Sequence, residues 1–237
     1  MSKPCFILTD IEGTTTSVSF VYDVLFPYFR ENIQKVRTMV HLPEVQAIFK
    51  ETIRLASETE QISIASDDEV IDTLIRWSNE DKKITPLKEL QGLLWKEAYE
   101  SGLIKGHVYE DVAPALKNWK EAGMQLGVFS SGSIAAQKLI FGYSVSGDLT
   151  PYFSAYFDTT TGGKREVETY TKISHELNLQ PSEILFLSDI IEELEAAQQA
   201  GLQTIQLVRP GTIANWQHTA SSFSDIPRTD TMPRVST

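Results

Sequence analysis

A single cysteine, Cys5, stands among 237 residues, so the chain can form neither an intrachain disulfide nor a thiolate metal cluster. Cys5 precedes an apolar run and is expected to be a buried small hydrophobe rather than a reactive thiol. Basic residues are scarce too: 21 Lys and Arg face 32 Asp and Glu, for a net charge of −11. That balance matches neither nucleic acid nor an anionic membrane surface, and neither is expected as a partner. A small anion is still admissible where a metal ion and a lysine concentrate positive charge. No apolar run approaches the roughly 20 residues of a membrane span, and the stretch after Met1 is too short for a signal-peptide core. Cytoplasmic residence is the expectation. The histidines His41, His107, His175 and His218 have no metal-ligand spacing. Internal repeats, heptads and low-complexity segments are lacking as well.

What is present is text of two kinds. Strand-length apolar runs occur at Phe6–Thr9, Leu126–Phe129, Ala155–Phe157, Ile184–Leu187 and Thr204–Val208. From the second run on, amphipathic helices separate them: Ile134–Phe141, Glu166–Leu177 and Glu192–Ala200, with Asp111–Gly123 preceding the second run. Strand–helix alternation predicts an α/β fold with a parallel sheet covered by helices on both faces. Between the first run and the second lie about a hundred residues with only helical periodicity, over Phe20–Ile33, Glu44–Ala56, Asp68–Trp77 and Pro86–Gly102. Leu87, Leu90, Leu94 and Ala98 form the clearest stripe. This block is predicted to be an inserted all-helical cap domain over 17–111, with 1–16 and 112–237 forming the core. Hinges are expected near Thr16–Val18 and Lys105–Asp111, and His107 is expected to pack there. Phe20, Tyr22, Phe26 and Tyr28 are expected in the cap's core, and Asp67–Glu69 as a helix first turn. Arg228–Thr237 reads as a loose tail.

Chemistry concentrates at the ends of the apolar runs. Asp10 and Glu12 follow the first, and two carboxylates there need a cation or proton unless they merely bond a turn. Gly13 permits a sharp turn, and Thr14 offers a hydroxyl and an N–H to phosphate. Ser130 and Ser131 follow the second run and open a helix, which suits either an anion site or simple capping. Lys164 follows the third and can neutralise phosphate or restrain a carboxylate, unless it is a surface lysine. Asp189 ends the fourth, as a metal ligand or a helix cap. Glu192 and Glu193 are expected on a solvated helix surface.

These four elements, in this order, resemble the motif set of haloacid dehalogenase-like hydrolases, whose core is Rossmann-like. The resemblance implies that Asp10 is a nucleophile that becomes an aspartyl phosphate and that Glu12 is the general acid–base. It implies one Mg²⁺ held by Asp10, Asp189 and the Glu12 carbonyl, with Ser130, Ser131 and Lys164 clamping phosphoryl oxygens. Glu12 departs from the usual Asp of that superfamily and carries its acid roughly 1.5 Å further. The stretches DIEGTTTS, SFVYDVLFPY, SSGSIAAQKLIFGYS, ILFLSDIIEELEAAQQAG and LVRPG are similar to the enolase-phosphatases of methionine salvage, through both core and cap to about Ile226. That narrower resemblance implies conversion of 2,3-diketo-5-methylthiopentyl-1-phosphate to acireductone and phosphate, by a monomeric cytoplasmic enzyme. The alternative is a phosphatase of the same superfamily acting on another small phosphate ester.

Overall fold

The computed structural model describes residues 3–226; the stretch Arg228–Thr237, read above as a loose tail, lies outside them. In chain order the strands are β1 (Phe6–Thr9), β2 (Gln125–Phe129), β3 (Ala155–Phe157), β4 (Ile184–Ser188), β5 (Gln203–Leu207) and β6 (Thr219–Ala220). Between β1 and β2 come α1 (Val18–Phe20), α2 (Phe26–Asn32), α3 (Pro43–Glu60), α4 (Asp67–Asn79), α5 (Thr85–Glu100) and α6 (Val112–Glu121). The later helices are α7 (Ile134–Gly142), α8 (Val167–Glu176) and α9 (Ile191–Gln199). The chain divides into two compact units. One runs up to Val18 and resumes at Lys105; the other is Ser19–Ile104.

In the first unit all six strands pair in parallel, in the order β3-β2-β1-β4-β5-β6. Phe6 and Leu8 of β1, Phe129 of β2 and Ile184 and Phe186 of β4 share one face, packed with Tyr170 of α8 and Leu194 of α9. Ile7, Leu126, Val128, Leu185 and Leu187 face the other way and are equally buried. Burial on both faces explains why these runs read as continuously apolar. Gly127 makes the first face possible, because a Cβ there would lie 2.7 Å from the Phe6 ring. The sixth strand was not foreseen. It has two residues, paired to Gln206 and Leu207, and is too short for any periodicity to show. Strand order reverses direction around β1, with β2 on one side and β4 on the other. This is the switch point outside which open α/β sheets bind ligands.

Cys5 corrects an expectation: it is exposed. Its backbone is paired on both sides, to Glu183 and Gln125, but it lies ahead of β1, where the side chain leaves the packed layer. Partial shielding and the Glu183 carboxylate push its thiol above the usual range. Lys105–Asp111 also associates with the first unit, ahead of the expected boundary at 112. Gly106 N–H donates to Tyr143 O at 2.8 Å, and Tyr109 N–H to Thr15 O at 3.0 Å. His107 Nδ1 accepts from Ser17 N–H at 3.1 Å and contacts Thr16 Oγ1 at 2.9 Å, so it packs beside the segment where the chain leaves this unit.

The second unit is helical. Leu87, Leu90 and Leu94 of α5 join Val70, Leu74 and Trp77 of α4 in one buried cluster. A helix over Phe20–Ile33 was expected as one piece; it is interrupted by a π-helical stretch at Val21–Leu25. The wider turn shifts the apolar face by a residue. Phe20 and Phe26 are buried, whereas Tyr22 is 45% exposed and donates to Asp81 Oδ2 at 3.2 Å, a correction to its expected place in the core. α4 begins as expected for an acidic first turn, with Ser66 Oγ accepting the Glu69 N–H at 3.3 Å.

Glu60 closes this unit by joining the end of α3 to α4. It pairs with Arg76 and Lys82 and accepts the Trp77 indole N–H at 2.8 Å. The Arg76 hydrogen bond chiefly holds the Glu60 carboxyl down at about 2, helped by Lys82 and Trp77. A depressed folded pKa contributes stability above the ordinary carboxylate range and loses it as pH falls toward about 2. Glu60→Gln should therefore lower Tm at neutral pH, with the gap from wild type closing on acidification. Thermal melts across that range check this; a gap independent of pH would contradict it.

Candidate active site

Asp10 reaches the carboxyl edge of the sheet because it follows β1 directly, and its N–H still donates to Leu187 O at 2.9 Å. The chain then turns at once. The Ile11 carbonyl accepts the N–H of Thr14 at 3.2 Å and those of Thr15 and Thr16 at 2.9 Å. Gly13 has φ +73°, and a Cβ there would stand 2.3 Å from Asp189 Oδ2. Glycine alone allows both that conformation and that approach. The N–H of Thr14, expected to face phosphate, is instead used by the turn. Its hydroxyl is buried without a hydrogen-bond partner.

Lys164 is buried, not a surface lysine. Its Nζ donates to Asp10 Oδ1 at 2.6 Å and lies 2.7 Å from Glu193 Oε2. The Tyr170 hydroxyl donates to the Lys164 carbonyl at 2.6 Å, fixing the backbone from which the side chain reaches. Burial alone would lower the lysine's pKa, but the carboxylates of Asp10 and Glu193 outweigh it and hold it above the usual range. Lys164 is therefore a permanent cation.

Glu193 corrects the solvated-surface expectation, although Glu192 does lie exposed. Glu193 shares the inward face of α9 with Leu194, Ala196 and Ala197. Lys164 and the Ser188 hydroxyl, which donates to it at 2.9 Å, compensate its charge there. The sequence signal was its place on that inward, apolar-spaced face. Burial and then the Asp10 charge push its carboxyl above the usual range, against the pull of Lys164.

Asp189 follows β4, next to β1. It does not cap α9, whose N-cap Ile190 has no side-chain cap bond. Burial, then the charge of Asp10 and more weakly that of Glu12, push its carboxyl up to about 7. Its Oδ1 is buried with no hydrogen-bond partner. Glu12 is half-buried on the Gly13 turn, bridged to Thr16. Ser130 is buried after β2, its Oγ accepting the Gly132 N–H at 3.2 Å, and Ser131 is half-buried. Helix capping falls to Ser133, which accepts the Ala136 N–H at 3.3 Å, leaving Ser130 and Ser131 outside that role. Asp10, Lys164 and Asp189 thus converge, and the two serines occupy the next loop along the same sheet edge.

Asp10 and Glu193, both buried, and half-buried Asp189 stand against one ammonium, Lys164, so acidic groups outnumber cations in the cluster. A hard divalent cation such as Mg²⁺ fits this all-oxygen set, and the partnerless Asp189 oxygen is a donor suited to it. Among the described residues no three His, Cys, Asp or Glu side chains form a metal-holding group. The Glu12 carbonyl and non-protein oxygens would complete the coordination. A carboxylate restrained by a buried cation at the mouth of a metal site can attack phosphorus, and a half-buried carboxyl beside it can move protons.

A haloacid dehalogenase-like hydrolase family model matches residues 6–201. The chain is 55% identical over 213 residues to Enolase-phosphatase E1 of Picosynechococcus sp., covering 90% of this chain and 93% of that one. It is 52% identical to Enolase-phosphatase E1 of Pseudomonas fluorescens, covering 93% and 96%. Among solved structures, the UTR4 protein of Saccharomyces cerevisiae superimposes with a TM-score of 0.79 at 33% identity, over 94% of this chain and 100% of that one. A dehalogenase matches at TM-score 0.56 and 18% identity, a likeness of fold alone.

The Gly13 contact generates a prediction. Gly13→Ala should lower the melting temperature of the sheet unit, because alanine is strained at a positive φ. It should also displace Asp189, raising the Mg²⁺ concentration for half-maximal phosphatase activity of the folded variant at least tenfold, about 1.4 kcal/mol of lost metal affinity. An unchanged Mg²⁺ titration in the folded variant would separate Asp189 from the metal.

Proposed function

The chain belongs to the enolase-phosphatase E1 family of haloacid dehalogenase-like hydrolases, and we propose that its phosphoryl transfer is carried by Asp10 as nucleophile and Glu12 as general acid–base. It is an enolase-phosphatase of methionine salvage. The substrate we assign is 2,3-diketo-5-methylthiopentyl-1-phosphate and the products acireductone and inorganic phosphate. We further assign a monomeric, cytoplasmic protein whose inserted helical unit is the cap domain of such hydrolases. No described helix is long and apolar enough to cross a membrane.

The observation that carries this reading is the 2.6 Å contact between Lys164 Nζ and Asp10 Oδ1, both buried at a switch point of the sheet. It fixes the carboxylate's rotamer before substrate arrives. An Asp10 oxygen attacks phosphorus, the ester P–O bond breaks, and the leaving oxygen takes the proton of Glu12. Glu12, now ionised, takes a proton from water. The water oxygen attacks phosphorus and breaks the bond to Asp10, which releases phosphate and restores the carboxylate. Lys164, the Ser130 hydroxyl and the Ser131 backbone hold the non-bridging oxygens of the phosphoryl group, where transition-state charge lies. Mg²⁺, held by Asp10, Asp189 and the Glu12 carbonyl, would supply Lewis-acid charge to phosphoryl and carbonyl oxygens.

Enolisation moves a proton from carbon to the adjacent carbonyl oxygen and needs a base of its own. Glu12→Gln keeps the backbone carbonyl and the side-chain length but removes the titratable group. Phosphate release should fall by about 10²–10⁴. Enol absorbance should then accumulate if another group is the enolisation base, and should be missing if Glu12 is that base. Wild-type phosphate release, with chemistry limiting the rate, would remove Glu12 from both roles.

A further inference from the structure

Arg209 follows β5, 6% exposed, and none of the chemistry above uses it. Its Nε donates to the Thr14 carbonyl at 3.0 Å, linking positions 195 residues apart in the chain. Its Nη1 donates to Asp111 Oδ1 at 3.0 Å and to Ser221 O at 3.2 Å, and Nη2 lies 2.9 Å from Asp111 Oδ2. Asp111 is held in turn by Ser222 Oγ at 3.1 Å and the Phe223 N–H at 2.6 Å. The guanidinium stacks 4.2 Å over Tyr109, whose N–H holds the Thr15 carbonyl at 3.0 Å.

Thr14 and Thr15 are the far side of the turn whose near side carries Glu12. The bonds inside that turn, three N–H groups on the Ile11 carbonyl and the Gly13 N–H on the Thr16 carbonyl, fix its shape but not its tilt. Tilt is set from outside, and two adjacent carbonyls are gripped there, one by Arg209 and the other by the residue Arg209 stacks on. A buried ion pair is a poor source of net stability, since apolar residues fill the same volume at least as well. An apolar replacement, however, would leave the Thr14 carbonyl without its donor. The pair is neutral as a unit, so its influence on the carboxylate cluster is geometric. We infer that Arg209, oriented by Asp111, is a positioning residue that sets the placement of the Glu12 carboxyl through the Thr14 carbonyl. This rests on Glu12 being the general acid–base.

The test compares two substrates through kcat/KM, which reports steps up to departure of the leaving group. The diketone phosphate needs the Glu12 proton, whereas p-nitrophenyl phosphate leaves as a stable anion and needs it little. Lysine keeps the charge but has neither Nε–H nor the planar fork. Arg209→Lys, assayed below its melting temperature with saturating Mg²⁺, should lose about 10- to 100-fold on the diketone phosphate, the scale of a small misplacement of a catalytic group. On p-nitrophenyl phosphate it should stay within about threefold of wild type. Asp111→Asn should show the same contrast, more weakly, and serves where the arginine variant does not fold. Glu12→Gln run in parallel separates the two ideas. If Glu12→Gln shows the contrast while the Arg209 and Asp111 variants lose both substrates equally, or neither, the inference is overturned and the reading of Glu12 stands. If Glu12→Gln shows no contrast, the reading itself fails and takes the inference with it.

Discussion

Asp10 and Glu193, both buried, and half-buried Asp189 crowd beside a single ammonium, Lys164, at the carboxyl edge of the sheet, and the rest of the site accommodates that repulsion. Carboxylates so placed would normally protonate or stay at the surface. Here the cost is met locally. Lys164 is fixed by the Tyr170 hydroxyl and bonded to Asp10 and Glu193 at once, and Ser188 donates to Glu193. Lys164 pairs with Asp10 and Glu193 but not with Asp189, whose carboxyl is pushed up by burial and then by the charge of Asp10. The same imbalance suits a divalent cation and, through that cation, a phosphate. In a chain with net charge −11, this is how an anionic substrate becomes acceptable.

The parallel sheet is what makes such a cluster affordable. Loops after β1, β2, β3 and β4 all emerge at one edge, so residues as far apart in the chain as Asp10, Ser130, Lys164 and Asp189 meet without long excursions. Strands buried on both faces fix those loop origins, and Gly127 and Gly13 remove two of the clashes that close packing would otherwise create. All the residues assigned to phosphoryl transfer belong to this one unit; the helical unit, Ser19–Ile104, has its own core and its own polar closure at Glu60. That separation suits an enzyme whose phosphate chemistry is general and whose substrate is particular.

Much of this could be read from the residues because the physics is local. β1 and β4 are short apolar runs ended by acids, and α5 shows its stripe at Leu87, Leu90 and Leu94. What escaped depended on pairing across the fold. Glu193 looked like a surface acid until Lys164, far along the chain, was seen to neutralise it. β6 exists only because β5 offers it an edge. Cys5, just ahead of an apolar run, looked like a buried small hydrophobe, but its side chain falls outside the packed layer. Tyr22 left the core because a π-helical turn shifted the face, and no periodicity in so short a segment reveals that. Arg209 stood in the text only as an arginine after an apolar strand, and its partners Thr14 and Asp111 could not be named from spacing.

The central claim is that the phosphoryl group passes through the Asp10 carboxylate. In the Glu12→Gln enzyme p-nitrophenyl phosphate, whose leaving group needs no proton, still phosphorylates the nucleophile, while loss of the base slows hydrolysis of the acyl phosphate. After rapid quench, borohydride reduces such a group to the alcohol. Peptide mass analysis should then find homoserine at position 10, in an amount that depends on substrate and is missing from Asp10→Asn. Homoserine or phosphate at another carboxylate, or steady phosphate release by Asp10→Asn, would contradict the account.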